Sequence, residues 1–286
     1  MKSQTRRCIL LLAVAGVLSF SGALHAQTEV PPYLEVRNVP HGRVHEHPYT
    51  SESLGTERQV VVYTPPDYEG STERYPVLYL LHGAGGDQSA WTGRGQAHVI
   101  LDNLIAGGKL DPLVVVMPYG YAFPREPGAG RGNAAENKSQ REGFNRDLLT
   151  DVIPMIEASY RVYPDREHRA IAGLSLGGAQ AVALGLGTDL FSRVAGFSSA
   201  LGAVASPDVG GVDWDVVLAD AGAINERVEF LWIACGTEDT LFASNQTFAN
   251  DLTSHGVEHV FRVTRGAHTY DVWQRYLHEV APLLFR

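Results

Sequence analysis

Short uninterrupted apolar runs punctuate this chain, and segments with helical spacing separate them. Residues 76–81, 113–117, 169–173, 194–198 and 228–234 each read as a strand buried on both faces, and 258–264 reads as one more. Helices are expected at about 95–107, 142–160, 178–187, 241–254 and 270–284, with Pro154 disturbing the second. The N-terminal pattern differs. Residues 35–47 alternate, with Val36, Val39 and Val44 apolar, and 58–63 form a second strand closed by a turn at Thr64-Pro65-Pro66-Asp67-Tyr68. Those two strands are expected to pair antiparallel at one sheet edge. Strands alternating with helices predict an α/β architecture: a mostly parallel sheet with helices on both faces and an antiparallel N-terminal edge. Residues 27–34 read as a loose, proline-containing arm.

Two connections run longer than is usual, 118–141 with Tyr119, Tyr121 and Phe123, and 199–227 with Trp214. Both follow strand C-termini, where open α/β sheets bind ligands, so both are expected to wall a substrate site. No break in composition marks a second domain. A single domain is expected over 27–286.

The first 26 residues form a separate unit. Lys2, Arg6 and Arg7 precede an apolar run, and the segment ends in small residues at Ala23-Leu24-His25-Ala26. This is the pattern of a secretory leader, with cleavage expected after Ala26, and the run is too short for a good membrane anchor. Losing its three cations and no acid moves the formal charge from −9 to −12. An acidic mature chain has no general attraction to nucleic acid or to anionic membrane. The expected partner is neutral or small, and the pattern carries no signal of oligomeric state. With Cys8 in the leader, Cys235 is the one mature cysteine, expected as a buried inert thiol.

The chemistry centres on Gly173-Leu174-Ser175-Leu176-Gly177-Gly178. A strand precedes this Gly-x-Ser-x-Gly and a helix follows it, the context that leaves a strained serine exposed at the tip of a tight turn. A serine hydroxyl needs a base, and the base must come from a later loop on the same sheet edge. Among the eleven histidines His268, between the last strand and the last helix, is the one so placed. His41, His45 and His47 carry no ligand pattern that completes a metal site, and no metal is expected. The orienting carboxylate should follow strand 228–234, where Glu238 and Asp239 both stand; Asp239 is favoured and Glu238 is the alternative. Oxyanion donors are expected from the backbone amides of Leu176 and Ala84. Trp91, Tyr119 and Trp273, with Tyr121, Phe123 and Trp214, are candidates to line an apolar substrate site. The sequons at Asn137 and Asn245 are read as chance.

His82-Gly83-Ala84-Gly85-Gly86, Gly173-Leu174-Ser175-Leu176-Gly177-Gly178, Cys235-Gly236-Thr237-Glu238-Asp239 and Gly266-Ala267-His268-Thr269-Tyr270-Asp271-Val272-Trp273 together resemble the esterase D-like α/β-hydrolases. More narrowly they resemble carbohydrate esterase family 1, which includes feruloyl esterase domains of modular xylanases, acetylxylan esterases, enterochelin esterases and mycolyltransferases. Asp165-Arg166-Glu167-His168-Arg169-Ala170-Ile171-Ala172-Gly173 is similar to the feruloyl esterase domains in particular. The resemblance spans roughly 40–286. It implies Ser175 as nucleophile, Asp239 as acid, His268 as base, and no cofactor. The expected activity is that of a secreted or periplasmic serine esterase acting on feruloyl or acetyl esters of plant polysaccharide. The alternatives are acyl transfer by the same residues, hydrolysis of another ester such as a siderophore trilactone, and a non-catalytic carbohydrate-binding protein on this fold.

Overall fold

The computed structural model describes residues 30–125 and 132–286. The expected leader therefore lies outside the described residues. Residues 31–286 form one compact unit.

Eight strands make one sheet: β1 (Arg43–Ser51), β2 (Thr56–Thr64), β3 (Val77–Leu81), β4 (Val114–Pro118), β5 (Arg169–Leu174), β6 (Arg193–Phe197), β7 (Phe230–Gly236) and β8 (Val260–Thr264), ordered β1-β2-β4-β3-β5-β6-β7-β8. β1 and β2 are antiparallel to each other, β2 is antiparallel to β4, and every later pairing is parallel. Among the described residues eight α-helices accompany them: α1 (Ala97–Ala106), α2 (Ala134–Asp147), α3 (Ile153–Ser159), α4 (Ser175–Gly187), α5 (Trp214–Leu218), α6 (Ala221–Arg227), α7 (Phe242–His255) and α8 (Tyr270–Val280).

The strand period of two divides the core. Tyr79 and Leu81 of β3 join Val114, Val116, Ile171, Val194 and Ile233 on one face, where they meet Phe144, Val182 and Leu252. Leu78 and Leu80 join Val115, Ala172, Phe197 and Trp232 on the other, under Ile100, Leu104, Tyr276 and Val280. This is why the central strands are continuously apolar: both faces are covered, and all five residues of β3 and β4 are buried.

Several boundaries differ from the sequence reading. β1 starts at Arg43, eight residues late, because its place is set by a hairpin onto β2 and not by its own apolar residues. Val36 is 77% exposed and Val44 41% exposed; the inward residues of this edge strand are Tyr49 and Ser51. The arm is not loose where it is described: Pro32–Leu34 is a 3₁₀ turn, Tyr33 stacks on His278, and Asn103 donates its side-chain amide to the carbonyls of Tyr33 and Glu35. The expected helix 142–160 is a longer run. It starts at Ala134 behind an Asn133–Glu136 capping box and widens into a π turn at Leu148–Val152. It then continues as α3, and Pro154, which has no N–H to give the helical ladder, lies just after the π turn, where the sequence reading expected the disturbance. Residues 199–227 hold α5, α6 and two 3₁₀ turns instead of open loop. Trp214 there packs on Phe248, with ring centroids 4.8 Å apart. Asn245 is fully buried and bonds both to Ser199 and to the Leu241 carbonyl, so that sequon is closed to modification in the folded chain.

Candidate active site

Parallel pairing in register aligns the C-terminal ends of the strands. Leu81 pairs with Gly173 and Gly173 with Gly196, so the loops after β3, β5 and β6 leave from one edge, and β7 and β8 follow alongside. The chain must turn within one residue from β5 into α4. Ser175 makes that turn with φ of +55°, a left-handed conformation that a serine holds only under constraint. Gly177 is what lets the new helix come so close. A Cβ there would lie 2.3 Å from the carbonyl oxygen of His82.

Ser175 Oγ lies 3.0 Å from Nε2 of His268, and Nδ1 of His268 lies 2.8 Å from Oδ2 of Asp239. The Asp239 side chain has no exposed surface, and its other oxygen accepts the amide of Leu241 at 2.8 Å. Glu238 is exposed, so of the two candidate acids it is Asp239 that meets the imidazole. The loops carrying acid and base are fastened together: Thr237 and Glu238 amides donate to the carbonyls of Thr264 and Gly266. A Cβ on Gly236 would sit 2.0 Å from the Gly266 oxygen, so only glycine permits that approach. His268 also packs edge-on against Trp273, with centroids 4.8 Å apart.

Ala84 and Ser175 share the walls of a cleft of about 110 Å³ with His268, Arg94, Tyr270 and Trp273. Leu176, the second residue of α4, follows directly; amides in a first helical turn have no intrahelical acceptor. A larger cavity, about 240 Å³, lies between α2, α4 and residues 204–212, and none of Ser175, His268 or Asp239 lines it.

The structure separates the three expected substrate-lining aromatics. Trp273 lines the cleft and donates Nε1–H to Ser198 Oγ at 3.1 Å. Trp91 is 1% exposed, donates to the Leu81 carbonyl and packs edge-on against Phe197, so it is core and not wall. Tyr119 stands beside His82 and Tyr121 instead of lining the cleft.

His82 and Arg94, which had no assigned role in the sequence reading, and Tyr121, named there as a lining candidate, also belong to this region. His82 is buried between two loops; burial pushes its pKa below the ordinary value. Its Nδ1–H donates to the Gly83 carbonyl and its Nε2 accepts the Gly120 amide, which fixes a neutral tautomer. Tyr121 accepts the Gly85 amide on its hydroxyl. Arg94 enters the cleft from a loop whose sequence gives no periodic signal. Cys235 is buried, and burial pushes its thiol up to about 12. His45 and His47 both contact the hydroxyl of Tyr160, at 2.8 and 2.9 Å. Among the described residues no three or more His, Cys, Asp or Glu side chains are grouped to hold a metal. Among them, too, no helix is long and apolar enough to cross a membrane.

A mostly parallel sheet with an antiparallel edge, and a serine strained between strand and helix with a histidine and a carboxylate drawn in by later loops, define an α/β-hydrolase fold. Residues 51–284 match the family model described as putative esterase, and the chain belongs to that family. It is 31% identical over 259 residues to an endo-1,4-beta-xylanase/feruloyl esterase of Xylanibacter ruminicola, covering 89% of this chain and 33% of that protein. It is 33% identical over 147 residues to an esterase of Mycobacterium tuberculosis, covering 50% of this chain and 29% of that one. The chain thus spans about a third of the length of these relatives. Among solved structures, a ferulic acid esterase superposes with a TM-score of 0.72 at 27% identity, over 86% of this chain and 98% of that one. A ferulic acid esterase of Anaeromyces mucronatus does so with a TM-score of 0.74 at 24% identity, over 90% and 96%.

Proposed function

We propose that the chain is a secreted serine carboxylic ester hydrolase that releases feruloyl or acetyl groups from plant polysaccharide. The observation that carries this is the unbroken hydrogen-bonded line from Ser175 through His268 to Asp239. In the reaction His268 Nε2 takes the Ser175 proton as Oγ attacks the ester carbonyl. Asp239 holds the imidazole in the Nδ1–H tautomer and stabilises it when charged. The amides of Leu176 and Ala84 receive the developing oxyanion; one such donor is worth about 10²–10³ in rate. His268 then returns the proton to the leaving alcohol, and water repeats the sequence on the acyl-enzyme. The reaction so written uses no cofactor. The feruloyl preference rests on the Xylanibacter relative's printed activity, and the secreted address on the pattern of residues 1–26.

The test is hydrolysis of methyl ferulate and an acetylated xylan by purified protein, beside Ser175→Ala. Wild type should release free acid, and the variant should lose about 10⁴-fold or more. Unchanged hydrolysis by Ser175→Ala removes the proposed nucleophile. Adding a sugar acceptor separates transfer from hydrolysis, since transfer products in excess over free acid would make the chain an acyltransferase.

A further inference from the structure

Ester cleavage as written leaves one wall of the cleft unused, and that wall is charged. Arg94 lines the cleft together with Tyr270, Trp273 and His268. Its backbone is fixed by α8, because the buried Gln274 donates its side-chain amide to the Arg94 carbonyl at 2.9 Å. The guanidinium carbon lies 4.7 Å from the centre of the Tyr270 ring, a cation–π contact. Tyr270 is itself held between Trp91 and Trp273, each edge-on to it at 6.3 and 5.0 Å. The fully buried Trp91 thus acts on the cleft through Tyr270. Asp87 feels the Arg94 charge, and its Oδ1 takes hydrogen bonds from the amide and hydroxyl of Ser89 at 2.8 and 2.6 Å; among the described residues no hydrogen bond joins the guanidinium to Asp87. A guanidinium steered by a ring and exposed at a cleft keeps its planar set of N–H donors for an incoming oxyacid.

Direction follows from the proton. The leaving oxygen must come within hydrogen-bond reach of His268 Nε2, so the alcohol half of an ester begins on the His268 side, where the chain runs on into Tyr270, the ring on which Arg94 sits. The chain as a whole carries a formal charge of −9, so any attraction for an anion here is a local contact and not a long-range field.

We infer that Arg94, seated on Tyr270, forms a carboxylate subsite for the alcohol half of the ester. The preferred substrates then carry an acidic group near the scissile bond, which on a polysaccharide is the chemistry of a uronic acid. This rests on the esterase reading above.

The experiment compares 4-acetoxybenzoate with its neutral partner 4-acetoxybenzamide, using wild type, Arg94→Gln and Arg94→Lys, with kcat and KM measured separately. The acid-to-amide ratio of kcat/KM should fall about tenfold in Arg94→Gln, mainly through KM, with Arg94→Lys between them. Taking the ratio between enzymes cancels the intrinsic reactivity of the two esters. A second pair, mono-4-nitrophenyl succinate and 4-nitrophenyl butanoate, puts the acid on the acyl half. A ratio that Arg94→Gln leaves unchanged in both pairs overturns the subsite. A fall confined to the succinate pair overturns its assignment to the alcohol half. Failure of wild type on all four esters overturns the esterase reading itself, a result distinct from the other two.

Discussion

The Gly120 amide donates to Nε2 of His82 at 2.9 Å, tying the loop after β4 to the loop that carries Ala84. Gln180 of α4 donates to the carbonyl of the same Gly120 at 3.1 Å, and Gly85 donates to Tyr121. The proposed oxyanion loop is therefore held from outside itself. His82→Ala leaves the Gly120 N–H without an acceptor and should cost roughly 1–3 kcal/mol of stability. It should also lower kcat on a small ester by about tenfold or more as Ala84 loses its place. Denaturant melts and steady-state rates on one preparation check both.

The same contact carries a pH dependence. The bond from the Gly120 amide to Nε2 needs the neutral ring, and burial lowers the His82 pKa in the folded chain although the Gly83 carbonyl acts the other way. An unfolded histidine has a pKa of about 6.5, so as pH falls through that value the unfolded state takes up a proton that the folded state refuses. The stabilising contribution is complete above pH ~6.5 and declines from there down to the lowered folded value. His82→Gln, which keeps an acceptor for Gly120, should flatten that slope relative to wild type. An equal slope in thermal melts of the two proteins between pH 5 and about 7.5 would count against it.

Asp239 and Glu238 are neighbours with opposite surroundings. Asp239→Asn should reduce kcat by about 10⁴-fold through the wrong imidazole tautomer, while Glu238→Gln should stay within about threefold of wild type. Comparable losses in both would mean that the orienting acid is shared.

Arg58 and Asp147 form a buried pair at 3.1 Å, with side chains 6% and 0% exposed. Arg58 also donates to the carbonyls of Tyr119, Tyr121 and Ala122, so it fastens the loop on which His82 depends. Arg58→Met strands the Asp147 carboxylate and should cost about 3–5 kcal/mol, read from urea denaturation. Activity of the remaining folded fraction should fall as well.

Gly236→Ala puts a methyl group into the Gly266 carbonyl. The strand ends must part, and Asp239 and His268 part with them. A drop in kcat of about tenfold or more, accompanied by a lower Tm, is the expected result.

What was legible in the sequence was whatever local pattern dictates. Continuous apolar runs announced β3 to β7, because strands covered on both faces have no polar positions to spare. The serine turn was legible because strand, glycines and helix stand next to one another in the chain. His268 and the pair Glu238 and Asp239 could be read from loop order alone. The Asn133–Glu136 capping box was also there to be read and would have placed the start of α2.

Tertiary structure decided the rest. β1 takes its register from β2, so its own alternation pointed to the wrong residues. Whether an aromatic ring is wall or core depends on what lies over it, and that separated Trp273 from Trp91. Asp239 and Glu238 differ in sequence by one position and in space by which of them faces His268. Arg94, distant from both Tyr270 and Gln274 along the chain, acquires its surroundings only when α8 packs beside it, because side-chain contact between remote segments is a property of packing and leaves no periodic trace in the chain.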